Sequence, residues 1–260
     1  MTGPFHQWRD ALQDLGVLGL VPEPREEIPA APLETSRPEP GPAGVLALPD
    51  TPAQAPGTRP APEAVAAAPD LDQLRACTQD CQACPLGPGR IRFVFGEGDP
   101  GARMMFIGEG PGRDEDLQGR PFVGRAGELL DKMIAAIGYQ RRQVYITNIV
   151  KCRPPDNRTP TPQESQTCLP YVKRQIELIR PGVIVTLGAT PLRELLGERA
   201  GITRIRGQWR RLDMLGGIPV MPTFHPAYVL RQYTQEVRAA VWGDLKAVRD
   251  WLAGHPPAGN

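Results

Sequence analysis

Four of the five cysteines are spaced as metal ligands. Cys81 and Cys84 form the C-x2-C pair of CQAC, and Cys152 and Cys168 enclose fifteen residues of a proline-broken segment. No histidine lies near any of the four in sequence, so the set consists of thiols, which suit zinc and an iron–sulfur cluster equally well. A metal that ties the start of the domain to the 152–168 loop would explain why a segment with little capacity to pack carries a cysteine at each end.

Cys77, in CTQDCQAC, is interpreted as a thiol outside this ligand set. A structural disulfide is the weaker interpretation of the cysteine pairs, because the sequence indicates a cytoplasmic protein, in which thiols stay reduced. No signal peptide is recognisable, and the apolar run GVLGLV is too short to span a membrane and is flanked by acidic residues. The sequence therefore predicts a cytoplasmic protein without a membrane span.

Other groups able to do chemistry lie in GEGPGRDED (residues 108–116), at Asn148 and at His225. The glycines do not form a dinucleotide-binding fingerprint, because Pro111 interrupts the spacing and the Gly-x-Gly-x-x-Gly pattern is absent. The carboxylates at 114–116 would also repel a pyrophosphate. The stretch offers backbone N–H groups that can approach a small planar ligand, with acids close by. Asn148 alone could cap a turn, and a lone histidine is more often structural.

These groups need a sheet to bring them together. Strands are predicted at Met104–Ile107, in QVYITNIV, in GVIVTLG and in IPVMPTFHP. Helices are predicted in AGELLDKMIAAIG, in QIELIR and in AAVWGDLKAVRDWLA. This alternation predicts a three-layer α/β/α domain with a mostly parallel central sheet. Ligands bind beyond the carboxyl ends of such strands, which is where the candidate groups lie.

The N-terminal region differs in composition from the rest of the chain. Residues 21–70 are rich in Pro and Ala, lack aromatic side chains and are predicted to form a disordered acidic linker. Residues 1–20 are predicted to form a short amphipathic segment, either a docking peptide for a replication or repair protein or an isolated turn. Its apolar stripe consists of Phe5, Trp8, Leu12 and Leu15.

The folded domain is predicted over residues 71–254, with a short tail at 255–260. Of the 30 basic and 29 acidic side chains of the chain, residues 1–70 carry 4 and 10. The domain is therefore basic, although the net charge of the whole chain is only +1. A basic domain is compatible with a polyanionic partner such as nucleic acid, but an excess of arginine also describes an ordinary solvated surface.

Several segments together resemble the family 4 uracil-DNA glycosylases, which contain a [4Fe–4S] cluster. They are CQACPL, VFGEGDPGARMMFIGEGPGRDEDLQGRPFVGRAG, VYITNIVKCRPPDNRTP, ITRIRGQW and FHPAY. The resemblance as a whole covers residues 77–252. The resemblance implies a uracil-DNA glycosylase-like fold, a monomer, and cleavage of the N-glycosidic bond of deoxyuridine in single- or double-stranded DNA. It places the cluster ligands on Cys81, Cys84, Cys152 and Cys168. A related branch that cross-links to DNA has a histidine after the third ligand, and CRPPDNRTP has none.

The resemblance also implies a uracil pocket, because a stacked and paired base must be flipped out of DNA before it can react. Phe122 would stack on the flipped ring. Asn148 would accept from N3–H and donate to O4. Gly108, Glu109 and Gly110 would complete the pocket, since backbone without a Cβ can approach the ring closely.

The same resemblance assigns the catalytic groups. His225 would donate a hydrogen bond to uracil O2 and stabilise the departing anion. Glu115 would position the attacking water, with Glu109 and Asp114 as competitors. Two sets of DNA contacts are predicted. The segment around the 152–168 loop carries cations that would reach phosphates, namely Lys151, Arg153 and Arg158. The segment after FHPA would fill the gap left by the base with Tyr228, Leu230 or Arg231.

Two other classes of protein remain open at the level of the sequence. One is a non-catalytic iron–sulfur DNA-binding module associated with a DNA polymerase, which would release no uracil. The other is a nucleotide-binding redox protein, which would require a cluster that titrates at accessible potentials. The intact set of pocket residues argues against both.

Overall fold

The computed structural model describes residues 58–213 and 216–256, and within them a single sheet of six strands runs through the middle of the domain. The strands are β1 (Glu97–Gly98), β2 (Met104–Gly108), β3 (Tyr145–Asn148), β4 (Val183–Leu187), β5 (Arg210–Leu212) and β6 (Ile218–Thr223). Their spatial order is β1-β3-β2-β4-β6-β5. The four inner strands are parallel, and the short edge strands β1 and β5 are antiparallel to their neighbours. The prediction of a mostly parallel sheet is confirmed.

Helices connect these strands and cover both faces of the sheet. They are α1 (Pro62–Ala67), α2 (Leu71–Thr78), α3 (Leu86–Gly89), α4 (Arg113–Gln118), α5 (Arg125–Ala136), α6 (Pro162–Ile179), α7 (Ala189–Leu196), α8 (Ile202–Ile205), α9 (Pro226–Arg231) and α10 (Gln235–Gly254). Single 3-10 turns lie at Arg141–Gln143 and Pro155–Asn157.

Side chains of the inner strands alternate between two apolar clusters, one on each face of the sheet. In β2, Met105 and Ile107 join the cluster that contains Leu74 of α2 and Ile176 of α6. Met104 and Phe106 join the other cluster, with Leu130, Ile134, Leu245 and Val248 of α5 and α10. Since successive strand residues point to opposite faces, this alternation produces the predicted three layers.

Helix α6 begins earlier than the sequence suggested. Thr161 caps it, because its Oγ1 accepts from Glu164 N (3.2 Å) while Glu164 Oε2 accepts from Thr161 N (2.7 Å), and Pro162 occupies the first helical position. Cys168 therefore lies on a helix that is packed against the sheet, rather than at the end of a loop.

The domain also begins earlier than predicted. Helix α1 lies inside the segment 21–70 that was expected to be a disordered linker, and Val65 and Ala68 are buried. The carbonyl of Ala68 accepts two hydrogen bonds from the guanidinium of Arg174 on α6, at 2.7 and 3.2 Å. The end of a Pro/Ala-rich segment is thus recruited to the domain by one apolar side chain and one carbonyl.

The amphipathic segment 1–20, the linker up to residue 57 and the end of the C-terminal tail lie outside the described residues. Helix α10 ends at Gly254. In the part of the chain that the structure describes, no helix is both long and apolar enough to cross a membrane.

Candidate active site

A cavity of about 540 Å³ opens at the carboxyl ends of the inner strands. It is lined by Glu109, Gly110, Pro111, Gly112, Glu115, Phe122, Ala126, Asn148, Pro154, Asn157, Arg158, Thr159, Leu187, Gly188, Ala189, His225, Ala227 and Arg231. These residues follow β2, β3, β4 and β6, so every inner strand contributes to the walls. The cavity is at the place where open parallel sheets bind their ligands.

Asn148, the last residue of β3, presents an unused acceptor to this cavity. The residue is 1% exposed, and its Oδ1 has no hydrogen-bond partner among the described residues. A Cβ at Gly108 would lie only 2.4 Å from this oxygen and 2.6 Å from Cζ of Phe122. Gly108 therefore allows the amide and the aromatic ring to converge. Because buried polar atoms are nearly always paired, the orphaned Oδ1 indicates a ligand with a donor.

Phe122 is held in a strained conformation by its surroundings. Its φ is +50°, an uncommon value for a residue with a Cβ, which costs about 1–3 kcal/mol. The carbonyl of Phe122 accepts from the guanidinium of Arg141 at 3.2 Å. The next two residues, Val123 and Gly124, donate their N–H groups to Oε1 of Glu115 at 2.9 and 3.0 Å. The ring is thereby fixed beside the cavity.

Glu115 is occupied by the backbone on both of its carboxylate oxygens. Besides the two donors to Oε1, the N–H of Gly112 donates to Oε2 at 3.1 Å. Such a carboxylate holds the loop that carries Phe122, and it has little capacity left to orient a water molecule. Asp114, the other neighbour in the acidic stretch, is exposed and packs against Gly124.

Glu109 is the less committed carboxylate of the cavity. It directly follows β2 and is half-buried, and its Oε2 accepts from the hydroxyl of Thr190 at 2.5 Å. Its backbone carbonyl pairs with Val150 N at 3.1 Å, which fixes the residue next to Asn148. Of the two glutamates in the wall, Glu109 is thus the one with an oxygen that the described backbone does not engage.

His225 has a defined tautomer because of its place at the start of α9. Its Nδ1 accepts a hydrogen bond from Ala227 N at 3.1 Å, so the ring proton is on Nε2. Burial lowers the pKa of His225 to about 4, and the positive charge of Arg231 acts in the same direction. The ring centroid lies 5.6 Å from that of Phe122. At neutral pH, His225 is therefore an uncharged hydrogen-bond donor beside the aromatic ring.

The four predicted ligand cysteines belong to the apolar cluster of α2 and α6, whereas Phe122 belongs to the cluster on the other face of the sheet. Cys81, Cys152 and Cys168 are buried, and Cys84 is half-buried against the same apolar cluster. Burial raises the pKa of Cys84, that of Cys152 to about 11 and that of Cys168 further, and the charges of neighbouring cysteines add to each shift. The four sulfur atoms are thus close enough to influence one another electrostatically.

Hydrogen-bond donors point at these sulfur atoms, as expected around metal-bound thiolates. Arg90 Nη1 donates to Cys152 Sγ at 3.4 Å, and Ala83 N donates to Cys81 Sγ at 3.5 Å. No group of three or more His, Cys, Asp or Glu side chains within the described ranges converges as ligands of one metal ion. By ligand type, four such thiols suit zinc or an iron–sulfur cluster.

Comparison with known proteins agrees with this geometry. The model of the uracil DNA glycosylase superfamily matches residues 95–246. A type-4 uracil-DNA glycosylase of Thermotoga maritima is 49% identical over 173 residues, which cover 66% of this chain and 89% of that protein. That of Archaeoglobus fulgidus is 42% identical over 192 residues, 72% of this chain and 96% of the relative. The chain belongs to the type-4 uracil-DNA glycosylase family.

A further match concerns the alternative of a DNA-binding module associated with a DNA polymerase. The DNA polymerase of Bacillus phage SP01 is 34% identical over 163 residues, but these cover only 17% of that protein. The type-4 relatives, by contrast, are covered almost completely. The chain is thus similar to a whole glycosylase and to a small part of a polymerase.

The residues predicted from the type-4 resemblance are only partly brought together. Eight of them line the cavity: Glu109, Gly110, Glu115, Phe122, Asn148, Arg158, His225 and Arg231. Arg158 forms a two-pronged ion pair with Glu164 at 2.7 and 2.8 Å, and Arg231 is exposed. Contact of Arg158 with a phosphate and insertion of Arg231 into the gap left by the base stay predictions. Arg153 lies outside the walls and donates to Asn157 Oδ1 at 2.8 Å.

Tyr228 and Leu230 are half-buried on α9 and pack against the apolar cluster of α5 and α10. The ring of Tyr228 lies 4.8 Å from that of Phe224. Neither lines the cavity, so filling the gap left by a flipped base stays a prediction for both residues.

The prediction that Lys151 contacts a phosphate was wrong. Its side chain is completely buried, and its Nζ donates to Thr147 Oγ1, to Asn148 O at 3.0 Å and to Gln175 Oε1 at 2.8 Å. The KCR segment turns inward at the lysine because the preceding strand and α6 supply three oxygens there. A lysine in a basic loop ordinarily lies on the surface, and the sequence contained no sign of this exception.

Two residues that support the walls of the cavity escaped the sequence analysis. Thr190 lies in TLGATP just after β4 and binds Glu109, although only the ends of β2, β3 and β6 had been considered. The sequence did offer a signal for this strand end, because Gly188 directly follows the apolar run VIVTL. Asp116 is 2% exposed and accepts from the N–H groups of Ile91 and Arg92 at 2.9 and 3.2 Å, which ties α4 to the segment after α3. It had been grouped with its acidic neighbours.

Proposed function

We propose that this protein is a DNA repair enzyme that flips uracil out of DNA and hydrolyses its N-glycosidic bond, releasing free uracil and leaving an abasic site. One observation carries the proposal above the others. The orphaned Oδ1 of Asn148, the fixed ring of Phe122 and the Nε2–H of His225 face one cavity. This is the set of groups that a planar base with a donor at N3 and acceptors at O2 and O4 requires.

Recognition of uracil follows from the amide of Asn148. Its Oδ1 accepts from N3–H and its Nδ2 donates to O4, while the face of Phe122 takes the place of the stacked neighbours in DNA. Cytosine has an acceptor at N3 and a donor at N4, so both contacts would fail. Each unpaired buried group costs about 1–3 kcal/mol, and the mismatch therefore excludes the normal base.

The chemical step breaks the bond between C1′ and N1 and forms a bond from C1′ to water oxygen. The departing uracil carries the electron pair and hence negative charge, which the Nε2–H of His225 stabilises by donation to O2. A neutral donor in a dry site needs no proton transfer to do so. The ring is already oriented by the hydrogen bond from Ala227 N. The attacking water gives one proton to the neighbouring carboxylate and so to solvent, and the uracil anion takes a proton from solvent once it is released.

The attacking water needs a carboxylate beside C1′. We assign this role to Glu109 rather than to Glu115, because the backbone occupies both oxygens of Glu115. Thr190 holds one oxygen of Glu109, so that the other can accept from water and face the positive charge that develops on the sugar. Glu115 then acts as the positioning residue of Phe122.

The proposed cofactor is a [4Fe–4S] cluster held by Cys81, Cys84, Cys152 and Cys168. When bound, the cluster would cross-link three parts of the chain: the CQAC segment, the loop after β3, and α6. The hydrolysis itself transfers no net electrons, so it does not require the cluster as a redox group. The purified protein should be yellow-brown with about four irons per chain, and Cys152→Ala should lose iron and stability together. A colourless native protein with one tightly bound zinc would contradict the assignment.

Release of uracil from synthetic DNA tests the function itself. Single-stranded, U·G and U·A duplex oligonucleotides are incubated with the protein, and abasic sites are revealed by alkaline cleavage. A matched strand with cytosine in place of uracil is the control. Cleavage only at uracil is expected. Binding to these strands without release of uracil would instead favour the polymerase-associated, non-catalytic module.

A further inference from the structure

Arg141 binds the backbone on both sides of the stacking residue, Phe122. Its guanidinium donates to the carbonyl of Pro121 at 2.5 Å and to the carbonyl of Phe122 at 3.2 Å. These carbonyls belong to the two peptide planes that meet at the Cα of Phe122. Because peptide units are planar, holding both carbonyl oxygens sets the φ and ψ of the residue between them.

Two carboxylates hold the guanidinium in this position. Its Nε donates to Glu97 Oε1 and its Nη1 donates to Asp131 Oδ1, both at 2.7 Å. Glu97 also accepts from Arg120 at 2.8 and 3.1 Å. Burial alone would raise the pKa of Glu97, but the hydrogen bonds from the two arginines lower it, so this carboxylate is charged at neutral pH. Arg141 thus joins β1 and α5 to the loop that carries Phe122.

Helix α5 contacts the same carbonyl of Phe122. A Cβ at Gly127, in the first turn of the helix, would lie only 1.9 Å from the Phe122 oxygen. The helix and the guanidinium therefore confine this oxygen together. The φ of +50° at Phe122 is unfavourable for a residue with a Cβ and persists only where the surroundings impose it. Arg141 supplies hydrogen bonds that reward this conformation.

We propose that Arg141 is a positioning residue for uracil recognition, which holds the backbone of Phe122 in the conformation that places the ring against the flipped base. The inference rests on the proposed function and adds a residue to it. All three nitrogen atoms of the guanidinium already donate to protein oxygens. Arg141 therefore acts through Phe122 and not by contact with DNA.

Substitutions at Arg141 and at its neighbour separate this role from general stabilisation of the domain. Arg141→Met removes every donor, whereas Arg141→Lys keeps the charge but cannot bind two carbonyls and two carboxylates at once. Arg142→Met is the matched control, because Arg142 belongs to the same 3-10 turn, is exposed and donates to Gln140 Oε1 at 2.7 Å. Each variant is also made in a Phe122→Ala background.

Two measurements are made on every variant. Single-turnover excision from a uracil-containing duplex reports on the step that needs the stacked base. Affinity for a duplex with an abasic-site analogue reports on DNA binding alone, because this duplex has no base for the ring to contact. Thermal unfolding shows which variants are folded.

Arg141→Met should lower the single-turnover rate about tenfold, the scale of one base stacked on an aromatic ring. In the Phe122→Ala background the same substitution should change the rate less than about twofold, because the ring that it positions is gone. Affinity for the abasic duplex should stay within about twofold of the unsubstituted protein. Arg141→Lys should have an intermediate rate, and Arg142→Met should match the unsubstituted protein.

An unchanged excision rate in Arg141→Met would overturn the inference, since the ring would then be held without the guanidinium. An equal loss of rate with and without the Phe122 ring, or an equal loss of affinity for the abasic duplex, would show that Arg141 only supports the domain.

If Arg141→Met does not fold, Arg141→Lys and Glu97→Gln decide the question in the same two backgrounds. A loss of rate that disappears with the ring supports the inference, and a loss that persists or is absent contradicts it. The unsubstituted protein separates these failures from failure of the proposed function. If it released no uracil, the proposed function would be wrong before any variant was compared.

Discussion

The cavity and the cysteine side (Cys81, Cys84, Cys152 and Cys168) satisfy their polar groups in different ways. Around the cavity, the chain holds most groups in place, because Glu115 binds three backbone N–H groups, Thr190 binds Glu109, and Ala227 orients His225. Oδ1 of Asn148 is left without a partner for a ligand to use. On the cysteine side the thiols are free, three of them are buried, and burial raises the pKa of Cys84, Cys152 and Cys168. The cavity is preorganised by the protein, whereas the proposed cluster would require these thiols to lose their protons.

This difference has a consequence for experiments. Substitutions in the cavity should change chemistry or base selection while iron content stays constant. Substitutions among the four ligand cysteines should change iron content first and activity second. A cavity variant that loses iron, or a cysteine variant that loses only activity, would break the distinction.

The largest effect on activity is expected for Asn148→Asp. A carboxylate removes the donor to O4 and offers an acceptor to the cytosine amine, so uracil excision should fall by roughly a thousandfold or more while trace release of cytosine becomes detectable. Single-turnover excision from matched uracil- and cytosine-containing strands measures both, and iron content is the control. Full uracil activity in Asn148→Asp would mean that Asn148 only caps a turn.

His225→Ala should lower the rate of base release by about a hundredfold, the scale for one charge-stabilising donor, while DNA affinity changes little. Single-turnover rates at saturating enzyme isolate the chemical step from binding. A loss of affinity as large as the loss of rate would reassign His225 to substrate positioning.

The same histidine has a pH signature. Because its pKa is lowered to about 4, the ring stays neutral in the folded protein while an unfolded chain would bind a proton below the ordinary value of 6.5. Stability from the neutral ring is therefore present above about pH 6.5 and is lost as the pH falls towards 4. The excision rate should show no titration of His225 between pH 8 and 5. A midpoint near 6.5 that disappears in His225→Ala would contradict the neutral-donor role.

Substitutions of Glu115 and of Glu109 should affect different properties of the protein, stability for Glu115 and the chemical step for Glu109. Glu115→Ala leaves three backbone N–H groups unpaired and releases the strained Phe122, so we expect a stability loss of about 2–4 kcal/mol and a roughly tenfold drop in excision. Glu109→Ala should lower the single-turnover rate by a similar factor or more with little change in thermal stability. Glu109→Gln and Glu115→Gln are the conservative pair. If only Glu115→Gln impaired the chemical step, Glu115 rather than Glu109 would be the residue that positions the attacking water.

The sequence was sufficient for the features that have a local signature. Alternating apolar strands and helices predicted the three layers, and polar residues after strands predicted Asn148 and His225 beside one another. It was not sufficient where function depends on a partner distant in sequence. Lys151 is buried because Gln175 lies on a helix 24 residues away, and that spacing has no local signature.

The choice between acids in GEGPGRDED was beyond the sequence for the same reason. Glu109, Glu115 and Asp116 have the same chemistry, and their roles differ only through what they touch: the hydroxyl of Thr190, the loop after Phe122, or the segment after α3. The start of the domain was missed because PEAVAAAP contains one large apolar residue, Val65. That one side chain is buried against α6.

The smallest effect should come from removing residues 1–57, and a longer deletion supplies its contrast. All residues of the cavity and all four cysteines lie beyond residue 57, so excision should stay within about twofold of the full chain. Residues 1–57 carry 3 basic and 8 acidic side chains, and their loss should tighten DNA binding somewhat at low salt.

Deleting residues 1–70 should behave differently. It removes buried Val65, the carbonyl that binds Arg174, the Asp70 cap of α2 and Thr58 O, which accepts from Gln82 N at 2.9 Å within the C-x2-C segment. We expect this longer deletion to cost about 2–4 kcal/mol of stability and to speed iron release. Thermal unfolding and iron release of the two truncated proteins measure the difference. Equal behaviour of the two would mean that α1 adds nothing to the cysteine side, and a large loss of excision on removing residues 1–57 would mean that the N-terminal region contributes to the cavity.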